Sequence, residues 1–222
     1  MSSFVRLNAA LDWITTSDYL ADIGCDHGYL AIDALKKGIP FVQLIDNKEG
    51  PLSVAKKNLS GYNFEEQVEF TLASGLVELR DDINCVAILG MGGELICDIL
   101  EEGKHKLKNL TKIILEPNTK SRTLRQYLFD NSFEIMSEKI VKENDKFYEL
   151  ILCKKSSSPI KYNHLDVLFG PVLRREKNPI FIEYWSFLKD KYIKIINNTK
   201  KPPKSQSFSV VFHAQCILFL YI

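Results

Sequence analysis

The sequence has few cysteines, and their arrangement excludes two classes of small protein. Its 222 residues contain five of them, with no CxxC pair and no histidine at metal-ligand spacing: Cys25, Cys85, Cys97, Cys153 and Cys216. Disulfide frameworks need paired cysteines in a short chain, and zinc sites need closely spaced Cys and His ligands. We therefore expect neither a disulfide scaffold nor a metal site, and this cysteine usage favours the reducing cytoplasm.

Long apolar runs are also missing. No stretch reaches the roughly 20 apolar residues that span a bilayer, and the first residues lack the charged and then apolar pattern of an export signal. The most apolar segment, residues 205–222, is too short for a confident membrane span, and we assign it no role. We expect no membrane partner.

A large net charge is the third absence, although the charges are unevenly divided. The net charge is +1, but residues 1–159 contain 19 Lys and Arg against 24 Asp and Glu, whereas residues 160–222 contain 10 against 4. A basic cluster attracts polyanions such as nucleic acids. It can equally be a solvated helix face. Charge alone leaves both interpretations open.

The chain is long enough for one full hydrophobic core and a small appendage, since 45% of its residues are hydrophobic. The polar stretch from Ser156 to Pro159 is the best linker. We predict a cofactor-binding domain over residues 1–155, a basic helical domain over 160–204 and an apolar tail over 205–222. In the helical domain, apolar residues recur at spacings of three and four, which indicates helix-on-helix packing: Phe181, Tyr184, Leu188, Tyr192 and Ile195.

Apolar runs and helical periods alternate along the first 130 residues, which predicts a parallel α/β sheet. The predicted strands are 19–23, 41–45, 68–72, 83–89 and 112–115, and the predicted helices are 29–37, one beginning near Pro51, 94–100 and 122–130. Two further β-rich runs, 133–141 and 147–154, are joined by a short polar connection. They predict an antiparallel hairpin.

The turn after the first strand, Asp22 to Gly28, is the most informative segment. A diphosphate-binding turn uses glycines and exposed amides, and carboxylates inside it serve anions poorly. The turn also lacks the Gly-x-Gly-x-x-Gly pattern of a nicotinamide oxidoreductase. Because it contains Asp22 and Asp26, it favours a cofactor with a cationic or hydroxyl-bearing centre. S-adenosylmethionine has an ammonium, a sulfonium and a ribose diol.

Strand ends supply the other candidate residues, because ligands of open α/β sheets bind there. Asp22 would meet the ammonium or organise the loop, and Gly24 would admit the cofactor, although Asp is also a common helix cap. Asp46 ends the second strand and is placed to bind a ribose diol, or to cap the next helix. The glycines from Gly90 to Gly93 follow the fourth strand, where they would let a flat base approach, or simply form a turn.

Seven short motifs, spread over residues 6–154, together resemble the bacterial tRNA (adenine-22, N1) methyltransferase family. They are Arg6-Leu7, Asp22-Ile23-Gly24-Cys25-Asp26-His27, Glu49-Gly50-Pro51, Gly90-Met91-Gly92-Gly93, Glu116-Pro117-Asn118, Leu124-Arg125 and Tyr148-Glu149. The resemblance implies a Rossmann-like, seven-stranded class I methyltransferase sheet followed by a small coiled-coil-like helical domain. It also implies methyl transfer from S-adenosylmethionine to N1 of adenine 22, in the D-arm region of tRNA.

The resemblance assigns site residues as well. The implied cofactor-binding residues are Asp22, Gly24, Asp26, His27, Asp46, Asn47, Ser74, Gly90 and Met91. The candidate substrate-binding residues are Gly92, Gly93, Glu116, Pro117 and Asn118, to which the basic C-terminal region adds Arg174 and Arg175 for the phosphate backbone, and the candidate catalytic residues are Asp26, Arg6 and Asn118. Ser74 replaces an expected acid, so cofactor affinity is expected to be weaker than in relatives, and Glu116 stands where the family usually has Gln.

The sequence has no Asn/Asp-Pro-Pro-aromatic motif after the fourth strand, which suits attack by a ring nitrogen. Adenine N1 already presents an in-plane lone pair, so alignment matters more than deprotonation. Asp26 is the candidate for stabilising the cationic product, with His27 beside it. Arg6 would clamp a phosphate or pair with Asp26. The expected partner is tRNA and a monomer is expected; a silent tRNA-binding protein with this fold, or a methyltransferase acting on another RNA, are the alternatives.

Overall fold

A seven-stranded mixed sheet forms the centre of the protein. The computed structural model describes residues 4–198, without the side chains at 192 and 195–198. The strands are β1 Tyr19–Ile23, β2 Phe41–Asp46, β3 Val68–Leu72, β4 Cys85–Gly92, β5 Lys112–Thr119, β6 Phe133–Glu143 and β7 Lys146–Lys155.

The strand order is β3-β2-β1-β4-β5-β7-β6. The first five strands run parallel, whereas β7 is inserted antiparallel between β5 and β6. This confirms the predicted Rossmann-like sheet of class I methyltransferases. The chain reverses direction along the sheet after β3, so β1 and β4 lie side by side at the centre. A reversal of this kind opens a crevice at the carboxyl ends of the strands.

Helices cover the sheet and continue beyond it. They are α1 Val5–Leu11, α2 Tyr29–Lys36, α3 Glu49–Leu59, α4 Gly93–Glu102, α5 Ser121–Asp130, α6 His164–Phe169, α7 Pro171–Glu176 and α8 Pro179–Asn198, with short 3-10 turns at Glu65–Gln67 and Leu107–Asn109.

The core has two halves, one on each face of the sheet. Successive residues of a strand point to opposite faces, so Leu20 packs in one cluster and Ala21 in the other. The same alternation places Ala87 in the first cluster and Ile88 in the second. Because both faces are covered, the central strands are mostly apolar, as buried parallel strands are, and the buried polar residues Asp22, Gln43 and Asp46 are the exceptions in β1 and β2. This is why the sequence shows continuous apolar runs there.

The predicted hairpin closes the sheet. Asn144 and Asp145 connect β6 to β7 with φ angles of 49° and 59°. Two left-handed residues in a two-residue loop make the type I′ turn, whose twist matches that of the flanking strands. Asn and Asp tolerate that conformation better than most residues, and the connection therefore forms where its polar sequence predicts.

The contacts divide the chain into two units, Met1–Val172 and Leu173–Ile222. In the first unit, α6 begins with a capping box between Asn163 and Asp166. In the second, α8 carries Phe181 and Trp185, both buried. The predicted boundary between residues 155 and 160 stays a prediction, and the predicted tail 205–222 lies outside the described residues. Of the predicted helical stripe, Tyr192 and Ile195 have no described side chains.

Three sequence expectations concern absences. Within residues 4–198, no helix combines the length and apolarity needed to cross a bilayer. The same part of the chain contains no cluster of three or more His, Cys, Asp or Glu side chains suited to a metal ion. Cys25, Cys85, Cys97 and Cys153 are free thiols, and Cys216 lies outside the described residues.

Candidate functional site

A cavity of about 820 Å³ lies where the carboxyl ends of the central parallel strands meet. This size is within the range of about 300 to 1,000 Å³ that is typical of ligand sites. The register aligns Asp22 at the end of β1 with Leu44 of β2 and Ala87 of β4. The loops that follow these strands therefore open side by side into the cavity.

The first wall of the cavity is the turn after β1. Gly24 and Asp26 have φ angles of 70° and 44°, a conformation that favours glycine and costs an ordinary residue free energy. The Gly24 N–H donates to the carbonyl of Ile45 at 2.8 Å, which ties the turn to β2. A Cβ at Gly24 would clash with the Met91 methyl group. Gly24 therefore lets the turn pass close to the Met91 side chain at the end of β4.

Two buried aspartates give the cavity its negative charge. Asp22 is 5% exposed and Asp46 is 9% exposed. Burial, together with the smaller effects of the neighbouring carboxylates of Asp46 and Asp26, raises the pKa of Asp22 to about 7. Asp46 is held by the Lys48 N–H, which donates to Oδ1 at 2.9 Å. A cationic or hydroxyl-bearing ligand would relieve this concentration of like charge.

Asp26 and His27 lie at the exposed lip of the cavity. The Asp26 Oδ2 is 2.7 Å from His27 Nδ1, and the two side chains are 74% and 47% exposed. The His27 ring stacks on Tyr29, with centroids 5.5 Å apart and an angle of 4° between the planes. Tyr29 in turn contacts Phe4, at a centroid distance of 5.8 Å. The lip therefore offers flat aromatic surface beside a carboxylate.

The opposite wall is the glycine-rich end of β4. The Gly90 N–H donates to Glu116 Oε2 at 2.9 Å, and the Gly90 carbonyl accepts from Asn118 Nδ2 at 2.6 Å. The pairing of β4 with β5 is irregular on either side of Met91, so the backbone bends at this point. Glu116 and Asn118, near the end of the neighbouring strand β5, thereby hold the backbone of β4 at Gly90.

Glu116 is almost fully buried in this wall. It is 1% exposed, and burial raises its pKa to about 7 against the opposing effects of Arg6 and the Gly90 N–H. Arg6 Nη1 lies 3.8 Å from Glu116 Oε2, and the Arg6 guanidinium lies 5.3 Å from the centre of the Tyr148 ring. The N-terminal helix α1 thus brings a cation to the end of β5, where it faces Glu116 rather than the predicted Asp26.

The structure brings most of the predicted site residues to the cavity wall. They are Arg6, Asp22, Gly24, Asp26, His27, Asp46, Asn47, Ser74, Gly90, Met91, Glu116 and Asn118. Their roles as ligands stay predictions. Ser74 and Asn47 are exposed on the wall, at the ends of β3 and β2 respectively.

Three other predicted residues lie beside the cavity without lining it: Gly92, Gly93 and Pro117. Gly93 is the first residue of α4, and a Cβ there would lie 2.6 Å from the Lys120 carbonyl oxygen. Pro117 is buried and is the register partner of Met91. Gly93 therefore has a packing role that accounts for the glycine, and the predicted substrate contact of all three residues remains untested.

Arg174 and Arg175 belong to the second unit. They lie in the last turn of α7, where Arg174 is half-buried and Arg175 is exposed. Basic side chains at a helix C-terminus also interact favourably with the helix dipole. Their predicted contact with tRNA stays a prediction.

Several cavity residues were not predicted as site residues, among them Phe4, Lys48, Leu95 and Ile99. Lys48 lies two residues after Asp46, the last residue of β2, so its position just after a strand was a usable signal. Leu95 and Ile99 are four apart on α4, and Leu95 is 51% exposed, which marks an apolar face extending toward the cavity. Phe4 precedes a seven-residue helix without a side-chain cap and had no local signal.

A family model described as tRNA (adenine(22)-N(1))-methyltransferase matches residues 20–212. Among curated proteins, the chain is 30% identical over 190 residues to the tRNA (adenine(22)-N(1))-methyltransferase of Bacillus subtilis, covering 82% of this chain and 79% of the relative.

Solved structures show the same likeness. A Streptococcus pneumoniae protein described as a tRNA (m1A22) methyltransferase is 32% identical, with a TM-score of 0.89 over 99% of both chains. A second structure of that protein is a complex with S-adenosyl-L-methionine. It is 31% identical to this chain, with a TM-score of 0.87 over 96% of this chain and 98% of the other.

Proposed function

This chain belongs to the tRNA (adenine(22)-N(1))-methyltransferase family, and we propose from that premise that it transfers a methyl group from S-adenosylmethionine to N1 of adenine 22 in tRNA. The observation that supports this proposal most strongly is the acidic cavity at the carboxyl ends of β1 and β2. Its partner would be tRNA, and its location the cytoplasm, where an unmodified tRNA is available.

The residues of the cavity fit the cofactor. S-adenosylmethionine, when bound, supplies a methyl group on a positively charged sulfur. The buried carboxylates of Asp22 and Asp46 suit its ammonium and its ribose hydroxyls, since ionised carboxylates only accept hydrogen bonds. Gly24 lines the cavity with a φ of 70°, a conformation that glycine adopts at little cost, so the turn can bring its backbone to the ligand. An anionic diphosphate would instead meet these carboxylates unfavourably.

The irregular end of β4 supplies the place for the target base. Asn118 and Glu116 on β5 hold Gly90 in this end of the strand, so it presents a fixed edge to a planar group. A base in a tRNA helix must leave its stack to reach a recessed site. The aromatic lip formed by His27 and Tyr29 offers stacking surface for nucleotides at the entrance.

Positioning is the main contribution that these residues make. The N1 atom of adenine carries a lone pair in the plane of the ring, so no residue needs to remove a proton before attack. Holding donor and acceptor in line can supply roughly 7 to 11 kcal/mol of the barrier reduction. The reaction moves positive charge to the base, and carboxylates near the base stabilise it there.

Methylation of defined transcripts tests the proposal. The purified full chain is incubated with labelled S-adenosylmethionine and an unmodified tRNA transcript, or a matched transcript in which adenine 22 is replaced by guanine. We expect 1-methyladenosine only from the first transcript, identified by mass spectrometry of the nucleosides. Cofactor binding without methylation of tRNA would favour a silent binding protein, and methylation of an unrelated RNA alone would favour another substrate.

A further inference from the structure

Among the residues that the structure describes, one oxygen of the buried Glu116 side chain has no hydrogen-bond partner. Oε2 accepts from the Gly90 N–H at 2.9 Å and lies 3.8 Å from Arg6 Nη1. Oε1 is buried and has no partner within the described part of the chain. The residue as a whole is only 1% exposed, and it lines the cavity. Buried polar atoms are nearly always paired, and an unpaired one is costly. This oxygen can therefore accept a hydrogen bond from a donor on a bound ligand.

The groups around Glu116 do not provide that donor. Arg6 from α1 approaches the other oxygen, and its own Nε is buried and unpaired. Glu143 at the end of β6 is a second acid, whose backbone partner is the Arg6 N–H, 3.1 Å from its Oε2. Asn118, two residues along β5, uses its Nδ2 on the Gly90 carbonyl. Glu116 itself lines the cavity, so a ligand bound there is the remaining source of a donor.

We propose that Glu116 is a specificity-determining residue, whose Oε1 accepts a hydrogen bond from the 6-amino group of the target adenine. This rests on the proposed function. The 6-amino group is bonded to the carbon next to N1, so a contact to it fixes the direction of the N1 lone pair. A 6-oxo group at the same place would set an acceptor against an acceptor, which excludes guanine and hypoxanthine.

The same contact helps the transfer step. The N1 lone pair forms the new bond to the methyl carbon, and the bond between that carbon and sulfur breaks with its electron pair going to sulfur. The positive charge of the sulfonium thereby moves to the N1, C6 and amino-nitrogen atoms of the base. An ionised Glu116 lies against the amino end of this group and is more strongly attracted to the product than to neutral adenine.

The negative charge of Glu116 can interact more strongly with a bound base than the charge of Asp26. Asp26 is 74% exposed and contacts His27, so water screens its field. Glu116 is buried, where the effective dielectric constant is lower and a charge acts more strongly. We therefore assign recognition of the adenine edge to Glu116, and Asp26 keeps its predicted role at the lip.

The test removes the amino group from the substrate and the acceptor from the protein. Two tRNAs are assembled by ligation, one with adenine and one with purine riboside at position 22, which keeps N1 and lacks the 6-amino group. For wild type we expect kcat/KM to be about 10- to 100-fold higher with adenine, as a hydrogen bond to a charged group allows. Differences in intrinsic reactivity between the bases cancel when this ratio is compared between variants.

Glu116→Gln and Glu116→Ala are the two variants, and Glu134→Gln is the matched control. Glu134 forms an ion pair with Lys154, with 3.2 Å between Oε2 and Nζ, and it does not line the cavity. In Glu116→Gln, the amide oxygen is needed by the Gly90 N–H, which turns the NH2 group toward the base. Relative to wild type, we expect the adenine-to-purine ratio to be about 10- to 100-fold lower in Glu116→Ala and also lower in Glu116→Gln, with no change in the control.

The two proposals fail in different ways. An unchanged ratio in folded Glu116→Gln would overturn the role of Glu116 alone, and that variant decides the matter if Glu116→Ala does not fold. Absence of methylation of the adenine tRNA by wild type would overturn the proposed function as well. A merely structural role would lower both rates equally and leave the ratio unchanged.

Discussion

At the scale of single residues, Asp22 combines burial with a charge that the fold itself disfavours. Its pKa is about 7, against 3.8 for the unperturbed group, because it is desolvated and lies near Asp46 and Asp26. An unfolded chain would ionise this carboxyl near pH 4. The folded protein therefore becomes less stable, relative to the unfolded chain, as the pH rises from about 4 to 7. Functional sites often carry such costs.

Asp22→Asn should remove this cost. A difference of one pKa unit corresponds to about 1.4 kcal/mol, so we expect the variant to gain a few kcal/mol in unfolding free energy relative to wild type at pH 8. Below pH 4 both states of wild type are protonated, and the gain should disappear. Urea unfolding at several pH values measures it. A gain that does not depend on pH would show that desolvation of an ionised Asp22 is not its source.

Asp22 also makes cofactor affinity depend on pH. Only the ionised carboxylate attracts a cation, so the dissociation constant for S-adenosylmethionine should fall by up to about tenfold between pH 6 and pH 8. Calorimetry in buffers of different ionisation enthalpy should show proton release on binding near pH 7. The Asp22→Asn variant should bind more weakly and lose this pH dependence. A parallel pH profile in the two proteins would place the titrating group elsewhere.

Substitutions at Asp46 and Asp26 should affect different constants, the dissociation constant of the cofactor for Asp46 and kcat for Asp26. Asp46→Asn should weaken S-adenosylmethionine by about 10- to 100-fold, as expected for loss of charge-assisted hydrogen bonds, with a smaller effect on kcat at saturation. Asp26→Ala should lower kcat and change the dissociation constant less. Calorimetry and steady-state kinetics measure the two constants separately. Equal kcat in wild type and Asp26→Ala would remove that carboxylate from the reaction.

At the scale of elements, strand ends were predictable and the contacts between them were not. The run Tyr19–Ile23 is observed as predicted, because buried parallel strands are mostly apolar, with Asp22 as the one charged residue of this run. The fourth strand begins at Cys85 and continues to Gly92, although the sequence indicated residues 83–89. Its extension depends on pairing with β5, for example Gly92 with Thr119. Nothing local to the glycines indicates that pairing.

The same limit applies to the candidate site. Asp22, Asp46 and Gly90 follow strands that the sequence predicts, so their meeting at one edge could be predicted from topology. The approach of Arg6 to Glu116 could not, because α1 has no side-chain cap and no strong periodic signal. Distant contacts of this kind come from packing, which local patterns do not record.

A buried charge network joins α5 to the hairpin. Arg125 Nε donates to Glu138 Oε1 at 2.8 Å, and Nη2 donates to Glu149 Oε2 at 2.7 Å, with Arg125 only 1% exposed. Glu138 Oε2 also accepts from the Val172 N–H at 2.9 Å. Two buried carboxylates thus share one buried guanidinium.

Arg125→Met should therefore destabilise the protein by about 3 to 5 kcal/mol, since it removes the cation that both buried carboxylates contact. Arg80→Met is the matched control: Arg80 also joins two acids, Glu69 and Asp82, but its side chain is 40% exposed. There we expect about 1 kcal/mol or less. Denaturant unfolding measures both. Equal losses in the two variants would mean that burial does not determine the contribution of these pairs.

At the scale of the whole molecule, the acidic and the basic residues are concentrated in different parts of the chain. The acidic cavity lies in the first unit, whereas the excess of Lys and Arg lies in residues 160–222. A basic segment positions a phosphate backbone without reading its sequence. We expect it to contribute affinity for tRNA and little to the choice of base.

Reversing the charges of Arg174 and Arg175 to Glu should raise KM for tRNA and flatten its dependence on salt, because fewer counterions are released on binding. Reversing Lys56 and Lys57, exposed on α3, is the control for a change of net charge. Kinetics at two salt concentrations measure the slopes. A slope that falls equally in both variants, or in neither, would place the tRNA contact elsewhere.

The central claim is that this acidic cavity directs methylation of adenine 22. A mass-spectrometric map of tRNA from cells lacking the gene, complemented with wild type or with Asp46→Asn, tests it most directly. We expect 1-methyladenosine at position 22 to be absent without the gene, restored by wild type and restored poorly by Asp46→Asn. Unchanged modification at position 22 in cells without the gene, with no competing enzyme present, would contradict the claim.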